Sequence, residues 1–112
     1  YFFHEDFIEV VYEVVNVGGI DMDNCFATSF NFSLNITDYS EKPEPVITDR
    51  EIRFSDRKKT IRIRSEKSCC FVYRNIFSSD GKYVATLVYA VCCPDLISPG
   101  KSWTNRFEFS SI

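Results

Sequence analysis

From Phe26 to Ile36 the even positions are Phe26, Thr28, Phe30, Phe32, Leu34 and Ile36, and the odd ones are Ala27, Ser29, Asn31, Ser33 and Asn35. A period of two, with aromatic and β-branched residues on one side only, describes a half-buried strand and cannot be laid on a helix. The odd side also carries two glycosylation acceptors, Asn31-Phe32-Ser33 and Asn35-Ile36-Thr37. On a strand the two asparagines stand roughly 13 Å apart on one face, turned away from the core. A glycan cannot be buried, so the strand pattern and the modification signal require the same orientation.

The rest of the chain reads as further strands. Residues 7–17 alternate less strictly, but Ile8, Val10, Tyr12 and Val14 form one apolar face, and the β-branched load up to Gly18-Gly19 favours a strand over a helix. After a loop with Pro43 and Pro45, strands are expected over 51–54 and 60–64, the latter with Ile61 and Ile63 inward and Arg62 and Arg64 outward. Residues 69–77 and 83–93 flank Asp80-Gly81, a tight-turn signal. A last strand sets Trp103, Phe107 and Phe109 on one face. No segment has a helical period, no repeat appears, and 112 residues form one domain, 1–112. About seven short antiparallel strands predict an all-β, two-sheet β-sandwich.

One local stretch resembles known sandwiches. Asp80-Gly81-Lys82-Tyr83 leading into Val84–Val88 is similar to the turn-plus-tyrosine entry to the penultimate strand of immunoglobulin-like, fibronectin-III-like and polycystic-kidney-disease-like domains. The same stretch resembles a strand of transthyretin-like and carboxypeptidase-regulatory-like sandwiches. The likeness implies an immunoglobulin-like architecture. The chain departs from a true immunoglobulin domain in having no Cys two positions after Tyr83 and no mid-chain Trp.

Five cysteines fall at Cys25, Cys69, Cys70, Cys92 and Cys93. Together with the acceptors they point to an oxidising, glycosylating compartment rather than to reduced cytosolic thiols. A two-residue Asp80-Gly81 turn opposes residues summing to 161 and sets Cys69 against Cys92. A one-residue bulge makes the sum 162 and pairs Cys69 with Cys93 and Cys70 with Cys92. Either way at least one disulfide is expected between the 69/70 and 92/93 pairs, with Cys25 competing for what remains. An odd count leaves one thiol, free or open to a homodimer link. Zinc is disfavoured because ligand pairs need two to four residues between them and here there are none.

Charge is segregated. Residues 1–49 hold ten acidic side chains and one basic, a balance of −9; residues 50–67 hold eight basic and three acidic, +5. The segment carries Arg57, Lys58, Lys59, Arg62 and Arg64, the candidate partner-binding residues. Three readings stand for it: a solvated face, an internal match to Glu9 and Glu13 of the acidic first strand, or a dock for an acidic glycan, lipid headgroup or protein.

Groups for chemistry are few. His4 is the single histidine, so nucleophilic triads lack a base. Asp21-Met22-Asp23-Asn24 reads as a solvated turn, too short to specify calcium. No phosphate-cradling loop, cofactor motif or membrane-length apolar run occurs, and Glu5 and Asp6 cut short any leader after Tyr1–Phe3, so the chain reads as a processed or excised piece. Nucleic acid is disfavoured by the compartment and the net charge of −3. The expectation is a non-enzymatic extracellular or lumenal recognition module, part of a receptor or adhesion ectodomain that binds a protein or glycan. A small secreted effector or carrier of an apolar ligand is the alternative.

Overall fold

The computed structural model describes residues 2–3, 7–34, 44–55 and 60–111. Its strands are β1 (Phe2–Phe3), β2 (Phe7–Val15), β3 (Phe26–Phe32), β4 (Val46–Ile47), β5 (Glu51–Ser55), β6 (Thr60–Ser65), β7 (Cys70–Phe77), β8 (Tyr83–Cys92) and β9 (Ser102–Ser111). They form two antiparallel sheets, a large one ordered β1-β2-β9-β6-β5-β4 and a small one ordered β3-β8-β7. No helix occurs among the described residues. The expected all-β, two-sheet arrangement is therefore present.

Aromatic rings join the inner faces. Phe30 of β3 packs edge-on to Phe107 and stacks with Phe109 of β9. Phe32 meets Phe54 of β5 and Phe109, and Phe54 in turn meets Tyr73 of β7. Ile52, Phe54, Ile63, Val88 and Phe107 are essentially sealed from solvent. Such rings bring large apolar area together with a preferred edge-to-face geometry, which is how a domain of this size holds two sheets in one register.

The connectivity is particular. In an immunoglobulin sandwich the last two strands share a sheet; here β8 lies in the small sheet while β9 crosses to the large one and sits between β2 and β6. The crossing, residues 93–101, is tied to the end of β2 through Asn16. The Asn16 side-chain amide donates to the carbonyls of Ile20 (2.8 Å) and Ile97 (2.7 Å), and its Oδ1 accepts from the Gly18 N–H (2.9 Å). Gly100, at φ 76°, supplies the left-handed turn that returns the chain into β9.

The β7–β8 hairpin keeps the 161 register from Cys70↔Val91 to Ile76↔Ala85, then shifts by one residue at Phe77↔Tyr83. The turn is wider than the expected two residues. Ser78 and Lys82 close it by hydrogen bonding, and Gly81 takes a φ of 82°. Two short strands, β1 and β4, add edges that alternation could not reveal in two-residue pieces.

Candidate binding faces and the glycan acceptor

β3 alternates as its sequence requires. Phe26, Thr28, Phe30 and Phe32 are half-buried, while Ala27, Ser29 and Asn31 are exposed. Asn31 thus stands on the outer face of the small sheet, on its edge strand. The second acceptor, Asn35, lies outside the described residues. Across that face the register aligns Asn31 with Leu87 and Arg74, Ser29 with Tyr89 and Val72, and Ala27 with Val91 and Cys70. The face is largely apolar, with Tyr89 at 40% and Val72 at 51% exposure.

The outer face of the large sheet is the opposite in character. One row runs Glu9, Glu108, Arg64, Glu51 across β2, β9, β6 and β5. Its neighbours bring Arg106 beside Glu9 (3.2 Å) and Glu66 (4.0 Å), and Arg62 beside Glu51 (3.5 Å). Arg64 reaches the same Glu51 oxygen at 3.7 Å. Both signs are therefore mixed over this face instead of forming a basic field.

This placement corrects one of the three readings of the basic segment. Arg62 and Arg64 do not face Glu9 and Glu13, because β9 lies between β6 and β2. Their partner is Glu51 on the neighbouring hairpin strand, and Glu9 is taken by Arg106. Sequence reasoning missed Arg106 because its side chain follows from strand order, which the charge pattern does not encode. Arg57, Lys58 and Lys59 lie outside the described residues, as does His4.

The cysteines also require a correction. The disulfide in the structure joins Cys25 to Cys93, with Cα atoms 4.1 Å apart. With Cys93 taken by Cys25, the expected pairing of Cys69 with Cys93 is excluded, and Cys69, Cys70 and Cys92 stand as thiols in this structure. The reason is the strand order. Phe26 opposes Cys92 in the β3–β8 register, so the next pair outward is Cys25 with Cys93, both on the outer face. With β8 central, β3 and β7 both compete for its cysteines, and hairpin arithmetic alone could not see β3.

Cys92 points the other way, into the core at 3% exposure, beneath a small polar cluster. The Asn105 amide donates to Ser65 Oγ (2.9 Å) and lies 3.5 Å from Cys92 Sγ. Its Oδ1 accepts from the Lys67 N–H at 3.1 Å. Cys69 is half-buried beside this cluster, and burial pushes its thiol up to about 12. Burial raises the Cys92 thiol as well.

Among the surface clefts, two involve groups described above. A groove of about 260 Å³ runs between Ile8, Val10 and Tyr12 of β2 and Phe30 of β3, the edge strand of the small sheet among the described residues. A cleft of about 340 Å³ lies beside the disulfide, under Lys67 and Trp103; the Lys67 ammonium sits 5.1 Å from the Trp103 ring centre. Among the described residues no cluster of His, Cys, Asp and Glu is arranged to hold a metal ion, and no helix is long and apolar enough to cross a membrane. Comparison with protein-family models, with curated proteins and with solved structures finds no match to the chain.

Proposed function

We propose that this chain is a recognition module of an extracellular or lumenal glycoprotein, part of a receptor or adhesion ectodomain that acts by binding rather than catalysis. The observation that carries the reading is the outward placement of Asn31 on the edge strand of the small sheet. A glycan there covers an apolar face and blocks the free edge of β3. The Cys25–Cys93 bridge is compatible with an oxidising compartment.

With the small sheet occupied by sugar, the large sheet's outer face becomes the contact surface. Arg62 and Arg64, together with Arg57, Lys58 and Lys59 between β5 and β6 in sequence, remain the candidate contacts. The mixture of Glu9, Glu108, Arg64, Glu51 and Arg106 favours a protein partner carrying both signs over a uniformly sulfated glycan. Production in a glycosylating host tests the reading: treatment with an amide-cleaving glycosidase should lower the apparent mass, and Asn31→Gln should remove part of that shift. Unmodified secreted protein would sink it. Reversal of Arg62 and Arg64 to Glu should then weaken capture of cell-surface partners and flatten its salt dependence.

The β2–β3 groove favours one second reading, a carrier of a small apolar ligand, because Ile8, Val10, Tyr12 and Phe30 line it. Native mass spectrometry decides between the two, since a carrier should retain co-purified lipid.

A further inference from the structure

We infer that Cys69 and Cys92 form the second disulfide of the oxidised protein, leaving Cys70 as its single exposed thiol. This rests on the secretory reading only for where the oxidation occurs; the pairing itself rests on geometry.

Three observations converge. The β7–β8 register places Cys70 opposite Val91 and Phe71 opposite Ala90, so one step outward sets Cys69 opposite Cys92. Both side chains lie on the inner face, since Cys92 and Phe71 are buried while Cys70 and Val72 are exposed. Third, the Cys69 N–H is directed away from Cys92, to the Asp49 carbonyl, the arrangement in which opposed residues of an antiparallel ladder approach closest.

The backbone fixes the kind of pair. In an antiparallel ladder, opposed residues alternate between hydrogen-bonded pairs and closer pairs whose N–H groups point away from each other. The Cys69 N–H donates to the Asp49 carbonyl at 2.7 Å, not across to Cys92. The other side of β8 agrees. Cys25 and Cys93 are a close pair with Cα atoms 4.1 Å apart, so Cys93 directs its peptide groups toward β7. The preceding residue, Cys92, therefore directs its own toward β3 and forms the closer kind of pair with Cys69. Closer pairs, with Cα atoms about 4.5 Å apart, fall in the range a disulfide spans. The small sheet would then be stitched twice, β3 to β8 on its outer face and β8 to β7 on its inner one.

The oxidation needs a small disulfide such as oxidised glutathione. One cysteine thiolate attacks a glutathione sulfur, forming a mixed disulfide and expelling one glutathione thiolate. The other cysteine thiolate then attacks the protein sulfur of that mixed disulfide, closing Cys69–Cys92 and expelling the second glutathione thiolate. Two protein thiols are oxidised, one glutathione disulfide is reduced, and the two protons end on the glutathione thiols. Cys70, on the opposite face, cannot replace Cys69 without turning the strand over.

The test counts thiols with Ellman's reagent in denaturant on monomeric protein equilibrated in oxidised and reduced glutathione. One thiol is expected in the wild type, none in Cys70→Ser, and two in Cys69→Ser. Three thiols in the wild type would overturn the inference, as would none in Cys69→Ser, which would mean that Cys70 can take Cys92. Material secreted by a eukaryotic host provides the separate check on compartment. Five thiols there, falling to one after glutathione treatment, would remove the secretory reading while leaving the pairing intact.

Discussion

The phenolic oxygen of Tyr83, at the start of β8, accepts the backbone N–H of Leu34 at 3.1 Å, tying the entry of the penultimate strand to the exit of β3. The same oxygen lies 2.6 Å from Thr86 Oγ1, which donates to Asn75 Oδ1 at 2.9 Å. Since the Thr86 proton goes to Asn75, the Tyr83 hydroxyl must donate to Thr86. The chain of bonds runs one way, from Leu34 through Tyr83 and Thr86 to Asn75. Tyr83→Phe leaves a buried N–H and a buried hydroxyl short of a partner, so it should cost about 1–3 kcal/mol in urea denaturation. Thr86→Val in the Tyr83→Phe background should cost less than it does alone, because the two residues act in one network.

How far this was legible follows from what each signal encodes. Alternation placed β3 and its outward Asn31, and the inward Ile61 and Ile63 of β6, because side-chain period is a local property. The tyrosine after Asp80-Gly81 marked the start of β8 for the same reason, although its partner Leu34 lies 49 residues away. Strand order was not legible. Nothing near Cys93 announces Cys25, and nothing near Arg62 announces that β9 will separate it from Glu9. These facts arise when β8 and β9 part into different sheets, which depends on the whole core.

The Cys25–Cys93 bridge closes the longest loop available to the cysteines, with a sequence separation of 68. In the chain-entropy account a loop of that length restrains the unfolded chain by about 4 kcal/mol. The double variant Cys25→Ser, Cys93→Ser should lose stability of that order by urea denaturation while keeping its far-ultraviolet dichroism. A loss well below 1 kcal/mol would mean that the unfolded chain is already held compact.

Reduced protein should be sensitive to alkali through Cys69. Its thiol is pushed from an ordinary 9.0 to about 12 by burial, so the folded state holds a proton that the unfolded state releases. The resulting stability is complete below pH 9 and is lost as pH rises toward the folded value. In reductant, the urea midpoint should fall more steeply between about pH 9 and 11 for the wild type than for Cys69→Ser, which has no thiol to titrate there. Equal slopes would show that the Cys69 thiol is not held protonated by the fold.

The last expectation follows from the glycan proposed on Asn31. Asn31 is the polar margin of a face on which Leu87, Tyr89, Val72 and Val91 stand in adjacent register rows. A branched glycan on the edge strand reaches over that face and denies the free backbone of β3 to another chain. Without it, the apolar strip and the open edge favour the same event, sheet-to-sheet pairing between copies. Asn31→Gln protein should therefore sediment with a concentration-dependent fraction of dimers and larger species where the glycosylated form remains monomeric. Adding Val72→Lys, on β7 and away from the β3 edge, separates the contributions. If the face drives association, the lysine should restore the monomer; if the edge alone does so, association should persist.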